Sequence, residues 1–73
     1  MEKLRMNNKK KLTEREIKII AYVADGWSGV EIADKLGITE PTIRMNLLKM
    51  FVKTNTCNRS HLVAYALRNG IIN

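Results

Sequence analysis

Covalent chemistry has almost nothing to work with in this chain. It holds one histidine, His61, and one cysteine, Cys57, with no glycine-rich phosphate loop and no acidic pair in an evident cleft. A lone histidine offers no metal site, and His61 reads as a polar first-turn residue of a helix. A lone cysteine makes neither an intramolecular disulfide nor a cysteine zinc cluster. Cys57 reads as a small hydrophobe, with an intermolecular disulfide under oxidation as the alternative. No enzyme activity, cofactor or metal is expected. What the chain does hold is positive charge: 13 Lys plus Arg against 7 Asp plus Glu, a net +6 at pH 7. A surplus of that size favours polyanions, nucleic acid first.

The charge is unevenly placed. Lys3, Arg5, Lys9, Lys10 and Lys11 stand against Glu2 in an N-terminal arm, residues 1–11, whereas residues 12–38 are slightly acidic. From residue 39 onward Arg44, Lys49, Lys53, Arg59 and Arg68 oppose Glu40 alone. Two separated basic zones suit a duplex. The arm reads as a solvated, disordered tail, with a groove or phosphate contact as the alternative. Residues 12–73 form the domain, and at 73 residues in all there is room for one small core. No apolar run approaches the roughly 18 residues of a membrane span, and Met1 to Lys11 is charged where a signal peptide is apolar, so the expected location is the cytoplasm.

Four helix starts share one grammar: a polar N-cap, an apolar residue before it, and another four positions after it. Thr13 with Glu16 forms a capping box, and Leu12 staples onto Ile17. Ser28 pairs with Glu31 in the same way, with Trp27 on Ile32. Thr39 caps a third helix over about 40–54, where Pro41 is tolerated in the first turn and Ile38 meets Ile43. Asn58 caps a fourth over about 59–69, with Cys57 near Leu62. Gly26, Gly37 and Gly70 end three of the four. No segment alternates in the manner of a strand. Helical spacing assigns Ile17, Ile20, Ala21 and Ala24 to the core from the first helix. Ile32, Ala33 and Leu36 come from the second, and Ile43, Leu47 and Met50 from the third. Trp27, Ile38, Val63 and Leu67 complete one all-α core of four helices.

Within that frame Ala33 falls where two crossing helices need a small side chain, Gly37 follows four residues later in the turn, and Ile43 six beyond that. This is helix-turn-helix spacing. Leu12-Thr13-x-Arg15-Glu16, Gly26-x-Ser28-x-x-Glu31-Ile32-Ala33, Thr42-Ile43-Arg44 and Asn58-Arg59 occur in that order. Together they resemble the LuxR/FixJ-type (GerE-like) DNA-binding domain over residues 12–72. The resemblance implies a DNA-binding transcriptional regulator, with phosphate contacts at Ser28 and Thr42. Three positions depart from the family pattern: Lys18 replaces a usual glutamate, Asn46 a usual histidine and Thr54 a usual core leucine. Thr54 predicts looser packing at the end of the third helix, and Asn46 a changed polar link between the third helix and the first.

A helix fits the major groove and reads bases from its N-terminal half, which selects Arg44, Met45 and Leu48 for base contacts. Arg44 has donors for a guanine, and the two apolar residues suit thymine methyls. Surface or protein contact is the alternative for Met45 and Leu48, a phosphate the alternative for Arg44. Lys49 and Lys53 suit phosphates. Thr13, Ser28, Thr39 and Thr42 lie at helix starts, where free N–H groups and the helix dipole favour a phosphate, a role compatible with capping. Arg59 serves either a phosphate or a core-facing carboxylate.

Leu62-Val63-Ala64-Tyr65-Ala66-Leu67 is apolar on more than one helix face, so an exposed side is left to cover. The resemblance implies regulators that pair through the last helix. This gives a homodimer with Leu62, Tyr65, Ala66 and Asn69 at its interface and two third helices roughly 34 Å apart on a near-palindromic site. RNA polymerase and a related regulator are further candidate partners; a membrane is not. The alternative is an interaction module whose fourth helix captures a related regulator and modulates its DNA binding, a reading motivated by the apolar Met45, Leu48, Phe51, Val52 series.

Overall fold

The structure, a computed structural model, describes residues 11–73; the expected behaviour of the arm lies almost wholly outside the described residues. Four helices follow one another: α1 (Glu14–Ala24), α2 (Gly29–Leu36), α3 (Glu40–Thr54) and α4 (Arg59–Arg68). No strand occurs among the described residues, so the fold is all-α as expected. α2 packs on α3, α1 on α4, and both α1 and α4 rest against α3.

All four helix starts are where the local sequence puts them, and three of the four side-chain caps form. Thr13 and Glu16 form a complete capping box at 3.1 and 2.8 Å, and Ser28 and Glu31 repeat it at the same distances. The Asn58 carboxamide oxygen accepts from His61 N–H at 2.8 Å. Thr39 occupies the N-cap position of α3 but makes no side-chain capping bond. Its hydroxyl is instead 2.8 Å from that of Thr42. Pro41, within the first turn, removes one of the N–H groups that a cap would otherwise serve. α3 ends at Asn55, which takes the left-handed conformation (φ 56°) that asparagine tolerates better than other non-glycine residues.

Ile19, Ile20, Ile32, Ile43, Met50 and Leu62 are fully buried, joined by Ala33, Leu47 and Ala66. Each of the large side chains contributes about 1.5–3 kcal/mol through removal from water. Two helices face the core differently from the sequence expectation. On α1 the buried residues are Glu16, Ile19 and Ile20, while Ala24 is exposed and Ile17 half-buried. The stripe runs through a carboxylate, so apolar spacing alone points to the wrong side of the helix. On α4 the buried pair is Leu62 and Ala66, whereas Leu67 is half exposed. Leu62 and Ala66, expected at a dimer interface, are thus spent on the core of the single chain, and Leu67, expected in the core, faces outward. A run of six apolar residues carries no phase of its own; contacts with α1 and α3 choose it.

Glu16 is the charged member of this core. Its Oε1 accepts from Thr13 N–H at 2.8 Å and from Lys53 Nζ at 2.7 Å, so the start of α1 is tied to the end of α3. Lys53 also donates to the Lys11 carbonyl at 3.3 Å. Thr54, in the position of a usual leucine, is buried and satisfied: its hydroxyl donates to the Met50 carbonyl at 2.8 Å and lies 2.9 Å from the Thr56 hydroxyl. The looser packing expected there is replaced by a closed polar contact. Asn46 spends its amide on the Thr42 carbonyl of its own helix at 2.8 Å, leaving the α1–α3 link to Glu16 and Lys53.

Burial pushes the Glu16 carboxyl upward, but the Lys53 hydrogen bond, the Thr13 backbone N–H and the Lys53 charge outweigh it and hold the group below its ordinary value of 4.5. A depressed folded-state value means that Glu16 stabilises the fold above the unfolded carboxylate pKa, and that this contribution is lost as pH falls through the lower folded value. Urea denaturation is expected to show Glu16→Gln less stable than the parent by about 1–3 kcal/mol at pH 7. The gap is expected to close as pH falls through the lowered folded-state pKa of Glu16. An unchanged gap there would assign the effect to packing instead of charge.

Candidate nucleic-acid interface

The connection between α2 and α3 is a tight turn. Gly37 adopts φ 72°, a left-handed conformation that costs a residue with Cβ about 1–2 kcal/mol, and Ile38 N–H closes the turn on the Ala33 carbonyl at 3.0 Å. Ala33 is buried and Ile43 is fully buried, both within one core cluster. Those three positions have the spatial roles their spacing predicts.

Burying Ile43, Leu47, Met50 and Thr54 fixes the rotation of α3 and turns the opposite face to solvent. Met45 and Leu48 are 53% and 56% exposed, and Val52 is 79% exposed. Arg44 and Lys49, at either edge of this face, are also exposed. All three residues expected to contact bases therefore share one exposed helix face. Thr13, Ser28, Thr39, Thr42 and Arg59, expected at phosphates, are all exposed at helix starts. Lys53 differs from them, because its ammonium is engaged by Glu16 and its side chain is 24% exposed. Arg59 stands at the first position of α4. The buried carboxylate Glu16 is paired with Lys53, and Arg59 Nη2 lies near Glu40 beside Gly29.

Side chains from the first residues of α3 and α4 reach the first residue of α2. Gly29 is buried, and a Cβ there would stand 3.2 Å from Glu40 Oε2 and 3.7 Å from Arg59 Nη2. The start of α2 is thus bordered by one carboxylate and one guanidinium. Arg44 and Arg59 also line a shallow groove whose apolar wall is Leu47, Leu48 and Phe51, with Cys57 beside it. Cys57 is exposed, and its sulfur lies 3.5 Å from His61 Nδ1. Sequence reasoning passed over Glu40, whose Oε1 accepts from Arg44 Nη1. The signal was present in the four-residue spacing of an acid and a base on one helix. Nothing in the sequence indicated that Gly29 must be small.

Along α4, Val63, Ala64 and Tyr65 are half-buried, and Leu67 and Asn69 are exposed. The Asn69 amide donates to the Tyr65 carbonyl at 2.8 Å. Among the described residues no group of three or more His, Cys, Asp or Glu could hold a metal ion. No helix of the described residues is long and apolar enough to cross a membrane.

A short helix, a glycine turn and a second helix with one buried and one solvent face define a helix-turn-helix domain. Residues 10–66 match the family of bacterial regulatory proteins designated luxR (GerE), and the chain belongs to that family. Among relatives, the uncharacterized transcriptional regulatory protein YxjL of Bacillus subtilis is 33% identical over 60 residues, 82% of this chain and 28% of the relative. The transcriptional regulatory protein LiaR of the same organism is 32% identical over 62 residues, 85% of this chain and 29% of the relative. The transcriptional activator protein BjaR1 of Bradyrhizobium diazoefficiens is 40% identical over 63 residues, 86% of this chain and 26% of the relative. The chain spans less than a third of the length of each of these relatives. No solved structure matches significantly. Family and relatives are transcriptional regulators, not enzymes, and the chain is a luxR-family DNA-binding domain.

The two kinds of helix start are separable by stability. Ser28→Ala removes a formed cap and is expected to cost about 1 kcal/mol. Thr39→Ala removes a hydroxyl that caps nothing, and its expected cost is smaller, within about 0.5 kcal/mol. Paired urea titrations check the order; equal losses would contradict the capping difference.

Proposed function

We propose that this domain binds double-stranded DNA sequence-specifically as a transcriptional regulator, with α3 in the major groove. The observation that carries the reading is the outward face of α3, on which Arg44, Met45, Leu48 and Lys49 stand together while Ile43, Leu47 and Met50 are buried behind them. Arg44 donates to guanine, and Met45 and Leu48 pack on thymine methyls. Lys49, Arg59 and the helix starts at Thr13, Ser28, Thr39 and Thr42 hold phosphates and fix the register. Lys53 takes no part, because Glu16 holds its ammonium.

The domain binds as a homodimer in this reading. With Leu62 and Ala66 buried, the surface that α4 offers a second copy is the side bearing Ala64 and Leu67, with Tyr65 and Asn69 flanking it. Two-fold pairing puts the recognition helices roughly 34 Å apart, one turn of duplex. The exposed Met45, Leu48 and Val52 support a second reading, an interaction module that modulates a related regulator.

Selection from a random pool of duplexes of about 30 base pairs tests the choice. The expected result is a near-palindrome with half-sites about ten base pairs apart. Arg44→Ala is expected to lose the preference at one position of each half-site, and Lys49→Ala to weaken binding to all duplexes with a salt slope shallower by about one. Absence of any enriched sequence would overturn the sequence-specific reading and leave the interaction module.

A further inference from the structure

Glu40 is an odd residue to find on a surface built for an anion. It is the first residue of α3, its side chain is only 29% exposed, and its carboxylate reaches Gly29 at the start of α2, near the Arg59 guanidinium. Its two oxygens are used differently. Oε1 accepts from Arg44 Nη1 one turn along the helix. Oε2 lies against Gly29, so near that a Cβ there would be only 3.2 Å away, with Arg59 Nη2 3.7 Å from the same point. The absence of a side chain at Gly29 leaves the room that the carboxylate occupies.

We propose that Glu40 is a positioning residue that sets DNA specificity by holding the Arg44 guanidinium on the base-reading face and keeping it from the phosphates. The proposal rests on the assignment of Arg44 to a base. A guanidinium has five N–H donors; one bond to Glu40 leaves enough for the two acceptors of a guanine. A long, 61% exposed side chain otherwise samples many rotamers and finds the nearest phosphate as readily as a base edge. The carboxylate removes part of that freedom before DNA arrives. It also competes with a phosphate for the Arg44 guanidinium while leaving donors for a neutral guanine edge, a preference of the kind by which specificity is built. An exposed ion pair of this spacing contributes little to folding by itself, so the specificity role is separable from a structural one.

The test is a double-mutant cycle on Glu40→Gln and Arg44→Ala, read as affinity for the selected duplex and for a random duplex across a salt series. Glu40→Gln is expected to bind the random duplex more tightly, with a salt slope steeper by about one as Arg44 reaches a phosphate. The ratio of selected to random affinity is expected to fall about five-fold or more. In the Arg44→Ala background Glu40→Gln is expected to leave that ratio unchanged. Thermal melts alongside are expected to show both single variants folded, so the ratio reports on the interface. A ratio unchanged by Glu40→Gln, while Arg44→Ala lowers it, would overturn the inference and leave the base contact standing. The same change of ratio in both backgrounds would also overturn it, since the carboxylate would then act without Arg44. A ratio that Arg44→Ala itself leaves intact would reject the base contact, and the inference with it.

Discussion

The orientation of α3 depends on one carboxylate. Glu16 sits in the apolar stripe of α1, caps the N-terminus of its own helix through Thr13, and receives Lys53 from the last turn of α3. Putting a charge in a small core is costly unless each lone pair in use finds a donor, and here both donors come from fixed places. The ion pair therefore works as a register pin. It fixes where the end of α3 lies against the start of α1, and the packing of Ile43, Leu47 and Met50 then leaves α3 a single rotation. The outward face follows from that choice.

That face is chemically mixed. Met45, Leu48 and Val52 are apolar and exposed, and Arg44 and Lys49 stand among them. A wholly basic helix binds any duplex through its phosphates, whereas apolar contacts and one oriented arginine respond to base identity. In the proposed reading the phosphate contacts fall instead to the helix starts, where caps form at Thr13, Ser28 and Asn58. Charge and shape are thus divided between the ends of the helices and the side of one of them.

Much of this was legible from the residues alone. The four starts, the Gly37 turn and the inner face of α3 follow from spacings of three, four and seven, and three of the four caps form as written. The exceptions have particular causes. Thr39 gives its hydroxyl to Thr42 at a start already relieved by Pro41. Thr54 looked like a packing fault because its partner, the Thr56 hydroxyl, belongs to the next loop. The α1 stripe was misplaced because its central member is charged, and the six apolar residues of α4 could be rotated either way until α1 and α3 selected Leu62 and Ala66.

The sequence by itself determined where each helix begins and ends, and which family the chain resembles. Caps, turns and glycine conformations involve residues within four positions of one another, so the local chain contains all the interacting partners. Only the tertiary structure decided which faces are spent on the core and which remain for binding. It buried Leu62 and Ala66 in the core, paired Lys53 with Glu16, and set Glu40 between Arg44 and Gly29. Each of those outcomes compares the burial of one side chain with the burial of another far along the chain, and that comparison exists only once the helices have packed.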